Sequence, residues 1–406
     1  MVFRQLKMPD EIASSASEPA IGPYTVSDNS MERGEAARAV LVPPSAAVYA
    51  LAIVAIVLHV GFSGRFGFFR DELYYAACGQ HLAWGYVDHA PLAPFLARLC
   101  RTFLGDSLLA LRFFPALAAA AKILLGGWLA RELNGDKYAQ FLTAFCVLLA
   151  PIYLTFDSFF SMNAFEPVFW MTCAAIVLRI LNGGNPKLWI LVGLTAGLGI
   201  LNKHSMLFFV SGIALGLLAT SARKHFGQPW IWLGVGIAFL CFLPNLLWEI
   251  HNGWPTLALF HAVMGTKYVI VSPWEYIWQQ ALLTHPLAAP IWVAGLYFLL
   301  RDPLGKKYAV LAWAYFTVLA EMLVLPPAIS GHNQYGLWGP GARSGQVVVA
   351  IGFSERQLRQ FYDEVTPEAS VSPHYAIPEE SQLTIFVCQR PHKSLQESWA
   401  EWKYLS

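Results

Sequence analysis

The sequence predicts an all-α polytopic membrane protein of about nine spanning helices, followed by a small C-terminal α/β domain outside the membrane. Three observations carry that prediction. The 406-residue chain is 56% hydrophobic and only 13% charged, with mean hydropathy +0.47, whereas soluble domains carry about 25% charged residues. Apolar runs approaching the ~20 residues a bilayer demands recur along most of its length. Beyond residue 326 the pattern changes to short apolar runs separated by polar stretches.

The elements follow in order. Residues 1–44 are polar and mixed in charge, without a basic start leading into an apolar run, and read as a disordered cytoplasmic arm. Residues 45–326 form the transmembrane domain. Its candidate spans are 46–62, 107–130, 138–154, 164–181, 188–202, 205–220, 230–250, 281–300 and 308–326. Asn202-Lys203-His204 divides the 188–220 region in two, because a lysine in mid-bilayer costs several kcal/mol. Gly193 and Gly197, one turn apart, suit close helix packing. Residues 68–82 read as a short interfacial helix, with Phe68, Phe69, Leu73 and Ala76 or Ala77 on its apolar side. The segment 251–280, with Trp254-Pro255 and Trp274, reads as a second interface segment. In the tail, 327–406, the runs 347–351 and 383–388 read as strands and 355–365 as a helix.

Basic residues set the orientation. Arg131 and Lys137, Arg179 and Lys187, Arg223 and Lys224, and Arg301, Lys306 and Lys307 fall in alternate loops, which are therefore expected in the cytoplasm. The loops 63–106, 155–163, 202–204 and 251–280 and the tail then lie outside. The net charge of +1 excludes the basic surface of a nucleic-acid binder. Six cysteines show no metal spacing. Cys78 and Cys100 share one loop and would pair only if their geometry allowed it.

Chemistry concentrates in the outer loops. Asp71 and Glu72 are adjacent, so on a helix they point about 100° apart and cannot serve one atom equally. One is expected to act while the other orients a partner. The bland alternative is a pair of acids at a helix start. Asp88-His89 reads equally as a proton shuttle, a phosphate contact or a turn-stabilising pair. Asn163 and Glu166 share a helical face, or else are a cap and a first-turn acid. Asp157 reads as a surface acid. Lys203 and His204 suit a lipid phosphate, or serve as snorkelling anchors. His332, in a glycine-rich aromatic loop, is either part of a substrate lip or part of a tight turn.

Together FRDELYY, AWGYVDHAPL, FSMNAFEPVFW, GLGILNKHSMLFF, FLPNLLWEIHNGWPTL and SGHNQYGLWGPG resemble the C-type glycosyltransferases that use lipid-phosphate sugar donors. The likeness is to the bacterial branch related to dolichyl-phosphate-mannose protein mannosyltransferases, with lipid A aminoarabinose transferases and core galacturonosyltransferases. It runs from about Phe66 through Glu321 and resumes near Pro326. The resemblance implies an enzyme of the bacterial inner membrane that moves a sugar with inversion from a polyprenyl phosphate to a lipid, glycan or protein. It implies no cofactor. Asp71 matches the catalytic base. Glu72, Tyr75, Asp88, His89, Asn163, Glu166, Lys203, His204 and His332 are the expected substrate-binding residues. The sequence departs from the family after Leu323, where a Lys-Tyr-Tyr-Leu-Ala-Pro type motif and further spans are missing. Two other readings therefore stand beside the enzyme: a catalytically impaired relative that binds lipid-linked sugar, and a transporter.

Overall fold

The computed structural model describes residues 44–65, 67–263, 272–324, 348–351 and 384–387. The arm before Pro44, the loop holding His332 and the tail helix expected at 355–365 lie outside the described residues.

Helices occupy all nine expected positions. They are α1 (Ala46–Phe62), α4 (Leu108–Glu132), α5 (Lys137–Leu149) with α6 (Pro151–Phe156), α7 (Met162–Leu181), α8 (Leu188–Asn202), α9 (Met206–Ala219), α10 (Pro229–His251), α12 (Pro273–Leu283) with α13 (Ala289–Arg301), and α14 (Ala309–Val324). Between them lie α2 (Arg70–Gln80), α3 (Leu92–Leu104) and α11 (Pro255–Val263). Among the described residues, three helices (α4, α7 and α10) are long and apolar enough to cross a membrane, or five spans if each sharply bent pair counts as one.

Two expected spans are broken by proline. The 138–154 run divides at Ala150-Pro151, and the 281–300 run turns through 97° near Pro286. Proline lacks the N–H that would continue a helix and drives the preceding residue out of helical backbone. The division at Asn202-Lys203-His204 is as expected.

The core is built by close approach. A Cβ placed on Gly193 of α8 would come within 2.0 Å of the Gly234 carbonyl oxygen of α10, and one on Gly197 within 2.6 Å of Cys241 Cβ. These glycines therefore do what their spacing suggested. Gly212 and Gly216 of α9 meet Ala314 and Val310 of α14 in the same way.

Helix α2 departs from the expected interfacial form. Its Tyr74, Tyr75, Ala76, Ala77 and Cys78 are all buried, so it is packed into the protein on several sides rather than laid on lipid. Two short strands, β1 (Val348–Ile351) and β2 (Thr384–Val387), pair antiparallel with Val348 opposite Val387.

The loops sort into two ends. At one, the α1–α2 and α2–α3 segments meet the start of α4, the start of α7 and the α8–α9 turn. At the other, the ends of α4 and α7 meet the turn before α14. This is the alternation that the basic loops predicted.

Candidate active site

The site is built on a buried polar knot. Glu72 is 0% exposed. Its carboxylate accepts from Arg112 Nε and Nη2, each at 2.7 Å, from the Phe160 amide at 2.9 Å and from the Phe69 amide at 2.8 Å. Arg112 also donates to the carbonyls of Ser63 and Gly67. One carboxylate and one guanidinium thus fasten α2, α4 and two loops together. Glu72, expected among the substrate-binding groups, is instead enclosed and saturated with donors. The divergence of adjacent helical residues is the reason: with Glu72 turned inward, Asp71 turns outward.

Asp71 is the open acid of the pair. It is 35% exposed on its side chain, and its Oδ1 lies 3.1 Å from Arg70 Nε. Asp88 is 45% exposed and accepts a hydrogen bond from Tyr74 Oη. Tyr75 is buried beneath them. Burial pushes its phenol well above the ordinary range, and Asp71 and Asp88 push it the same way.

His89 lies buried among three rings, with Tyr74, Tyr75 and Tyr86 at centroid distances of 5.1, 5.0 and 4.6 Å. Its Nδ1 lies 3.0 Å from the Ala90 carbonyl oxygen. A carbonyl only accepts, so Nδ1 carries the proton and Nε2 presents a lone pair. That Nε2 is buried with no hydrogen-bond partner and lies 3.8 Å from Asp88 Oδ1. Burial holds the imidazole below its usual range, against the opposing pull of Asp88, the Ala90 carbonyl and Asp71. His204 pushes it lower still. Asp71, Asp88, His89 and His204 therefore act on one electrostatic neighbourhood.

The fourth side comes from α7 and the α8–α9 turn. Asn163 and Glu166 share a face as their spacing requires. Both accept from Lys203 Nζ, at 3.0 and 2.9 Å. Ser205 donates to the other Glu166 oxygen. His204 Nε2 lies 2.9 Å from Asn245 Oδ1, and Asn245 donates at 2.7 Å to the Trp84 carbonyl. His204 is thereby tied to the loop that carries Asp88 and His89. Lys203 is not a bare cation at a lipid boundary, since the Glu166 carboxylate meets its charge inside the protein.

Sequence reasoning missed Arg112, Lys122 and Asn245. It also misread Asp157, which is buried and paired with Lys122 rather than being a surface acid. Lys122 also donates to the Ala164 carbonyl at 3.1 Å, on the first turn of α7. The available signal was two cations within one apolar run, each of which must find a partner in a low-dielectric surround. Cys78 and Cys100 are both free and buried. The Cys100 thiol is directed to the Ala110 carbonyl at 2.8 Å. Among the described residues no group of three His, Cys, Asp or Glu side chains is arranged to hold a metal ion.

The chain is similar to known proteins. Residues 88–248 match the model of the dolichyl-phosphate-mannose-protein mannosyltransferase family. The lipid A galacturonosyltransferase RgtD of Rhizobium johnstonii is 28% identical over 293 residues, covering 70% of this chain and 60% of that protein. The crystal structure of ArnT from Cupriavidus metallidurans, bound to undecaprenyl phosphate, superposes with a TM-score of 0.56 at 16% identity, over 78% of this chain and 62% of that one. The chain thus spans about three-fifths of the length of these two relatives. The match to the mannosyltransferase family model over residues 88–248, the likeness to RgtD and the fold shared with ArnT make the chain similar to the C-type glycosyltransferases of the ArnT and protein-mannosyltransferase type.

Proposed function

We propose that this chain is an integral-membrane, inverting glycosyltransferase. It takes a sugar from a polyprenyl-phosphate donor and passes it to an envelope lipid, glycan or protein acceptor at the outer face of the bacterial inner membrane. The observation that carries this reading is convergence. Asp71, Asp88 with His89, Asn163 with Glu166, and Lys203 with His204 come from four separate segments and meet at one end of the bundle.

Asp71 is the proposed general base. It removes the proton from an acceptor hydroxyl as the oxygen attacks the anomeric carbon. The bond from that carbon to the phosphate oxygen breaks, and polyprenyl phosphate leaves with the electron pair. A base needs exposure to reach its proton, and of the two neighbouring acids only Asp71 has it. His89 Nε2, a buried acceptor without a partner in the protein, is suited to receive a sugar hydroxyl. Lys203 is proposed to transfer its attraction from Glu166 to the donor phosphate on binding. His332 is proposed as a further contact from the outer loop.

The same reading sets the chain in the membrane with about nine spans. Residues 45–326 form the catalytic domain, the arm 1–44 is cytoplasmic, and an α/β domain, 327–406, lies on the outer side. A cysteine at Gly64 should then react with an impermeant thiol reagent in intact spheroplasts, and labelling only after lysis would invert the topology.

One observation favours the impaired relative as the second reading. The cation proposed for the phosphate is already matched by Glu166. Mass spectrometry of envelope glycolipids from cells with and without the chain separates the two. A sugar-bearing species present only with the chain supports transfer. Identical profiles, together with retention of a polyprenyl-phosphate analogue, support the binding relative.

A further inference from the structure

A polar cavity lies at the other end of the bundle. It measures about 330 Å³ and is lined by Arg131, Glu132, Asn134, Arg179, Asn182 and Lys307. Helix α4 carries Arg112 near its start and Arg131 near its end. These are 19 residues apart, and at about 1.5 Å per residue the cavity is roughly 28 Å along the helix from the candidate active site. It therefore belongs to a different surface.

The cavity is a constructed polar site. Glu132 is buried and contributes its single carboxylate. That carboxylate accepts from Trp128 Nε1 at 3.0 Å, from Asn182 Nδ2 at 3.1 Å and from Arg179 at 3.5 Å. Asn182 Oδ1 in turn accepts from Lys307 Nζ at 2.9 Å and from Tyr308 Oη at 2.8 Å, and Asn134 Nδ2 donates to Tyr308 Oη at 3.1 Å. Three cationic residues thus line the cavity against one carboxylate, and the acceptor facing Lys307 is a neutral amide. Leu304, three residues before Lys307, is 75% exposed, which puts an open apolar side chain beside the cations. A basic recess between helices, next to apolar surface, is the setting in which anionic headgroups are recognised.

We infer that this cavity binds a phosphate anion, held by Arg131, Arg179 and Lys307 and oriented by Asn134. The chemistry fits a phospholipid headgroup and free phosphate alike, and the basic residues that orient the chain in the membrane acquire a second use.

The test is native mass spectrometry of the full chain, purified in detergent, with phosphatidylglycerol, phosphatidylcholine or inorganic phosphate added. The parent should retain phosphatidylglycerol over phosphatidylcholine, and Arg131→Gln with Lys307→Gln should lower that retention roughly tenfold. Phosphate retained in the same Arg131- and Lys307-dependent way, without lipid preference, assigns the site to a soluble anion. Asn134→Asp is the second variant. Asn134 sits at φ +64°, a conformation that Asp also tolerates, so it adds a negative charge at little backbone cost and should weaken retention too. Arg223→Gln with Lys224→Gln removes two exposed cations outside the cavity and should change nothing. Equal loss in that control, or unchanged retention in both cavity variants, overturns the inference.

Discussion

The exposed acids Asp71 and Asp88 and the buried knot around Glu72 are made of the same residue types under opposite conditions. Asp71 and Asp88 keep a third or more of their side-chain surface exposed. In the knot Glu72 is sealed from solvent and matched by Arg112, and in a separate buried pair Asp157 is matched by Lys122. Removing two charges from water costs several kcal/mol per ion, recovered only through close pairing and full hydrogen bonding. A group so satisfied has no capacity left for a substrate, whereas a group that must accept a proton needs capacity in reserve. On the proposed reading this difference gives chemistry to the exposed acids and shape to the knot, although Asp71 and Glu72 are neighbours in sequence.

The contrast breaks most sharply at Glu72. Replacing Glu72 by Gln leaves Arg112 buried without its counter-charge and should cost about 3–5 kcal/mol. The expected readout is a sharply lower thermal midpoint or loss of folded protein in detergent. Parent-like stability would remove the knot from its structural role.

The close packing of α8 against α10 gives a further test. Gly193→Val inserts a branched side chain where even a Cβ meets a backbone oxygen at 2.0 Å, and overpacking of this kind costs about 1–3 kcal/mol. Helices α8 and α10 must separate, so the thermal midpoint should fall. An unchanged midpoint would mean that these helices do not rely on that approach.

Lys203→Ala sharpens the contrast at the border of the two regions. Charge-assisted contacts are worth about 1.5–3 kcal/mol, so affinity for a polyprenyl-phosphate analogue should fall more than stability does. Unchanged affinity would return Lys203 to a purely internal partner of Glu166.

The smallest expected effect is that of His89. Burial lowers its proton affinity in the folded state, while the unfolded chain titrates near 6.5. Below that pH the unfolded state takes up the proton more readily, so stability falls on acidification; above it His89 contributes no slope. Thermal midpoints followed from about pH 8 to about pH 5 should decline more in the parent than in His89→Gln. Parallel curves would contradict the burial argument.

Much of this was legible in the sequence. Apolar runs located the helices because the bilayer demands length, and alternating basic loops sorted them into two ends. Clustered Asp, His, Asn and Lys, read as one site, come together at one end of the bundle. Asn163, Glu166 and Lys203 were each identified, but not that they bind one another, since such pairing acts across 37 and 40 positions. Arg112 and Lys122 were lost because hydropathy averages over a window and hides one charge among many apolar neighbours. Asp157 looked exposed because it follows a span, and its partner lies 35 residues earlier. Which of Asp71 and Glu72 faces inward depends on where Arg112 sits, and spacing alone does not reveal that.

The most direct test is to measure Asp71→Asn beside the parent in proteoliposomes, reading sugar transfer from a polyprenyl-phosphate donor and thermal stability on the same preparations. A positioned base contributes typically about 10²–10⁴-fold. Asp71→Asn should therefore keep the parent's midpoint and donor affinity while losing transfer by that factor. Transfer at the parent rate by Asp71→Asn would contradict the assignment of chemistry to the exposed acid.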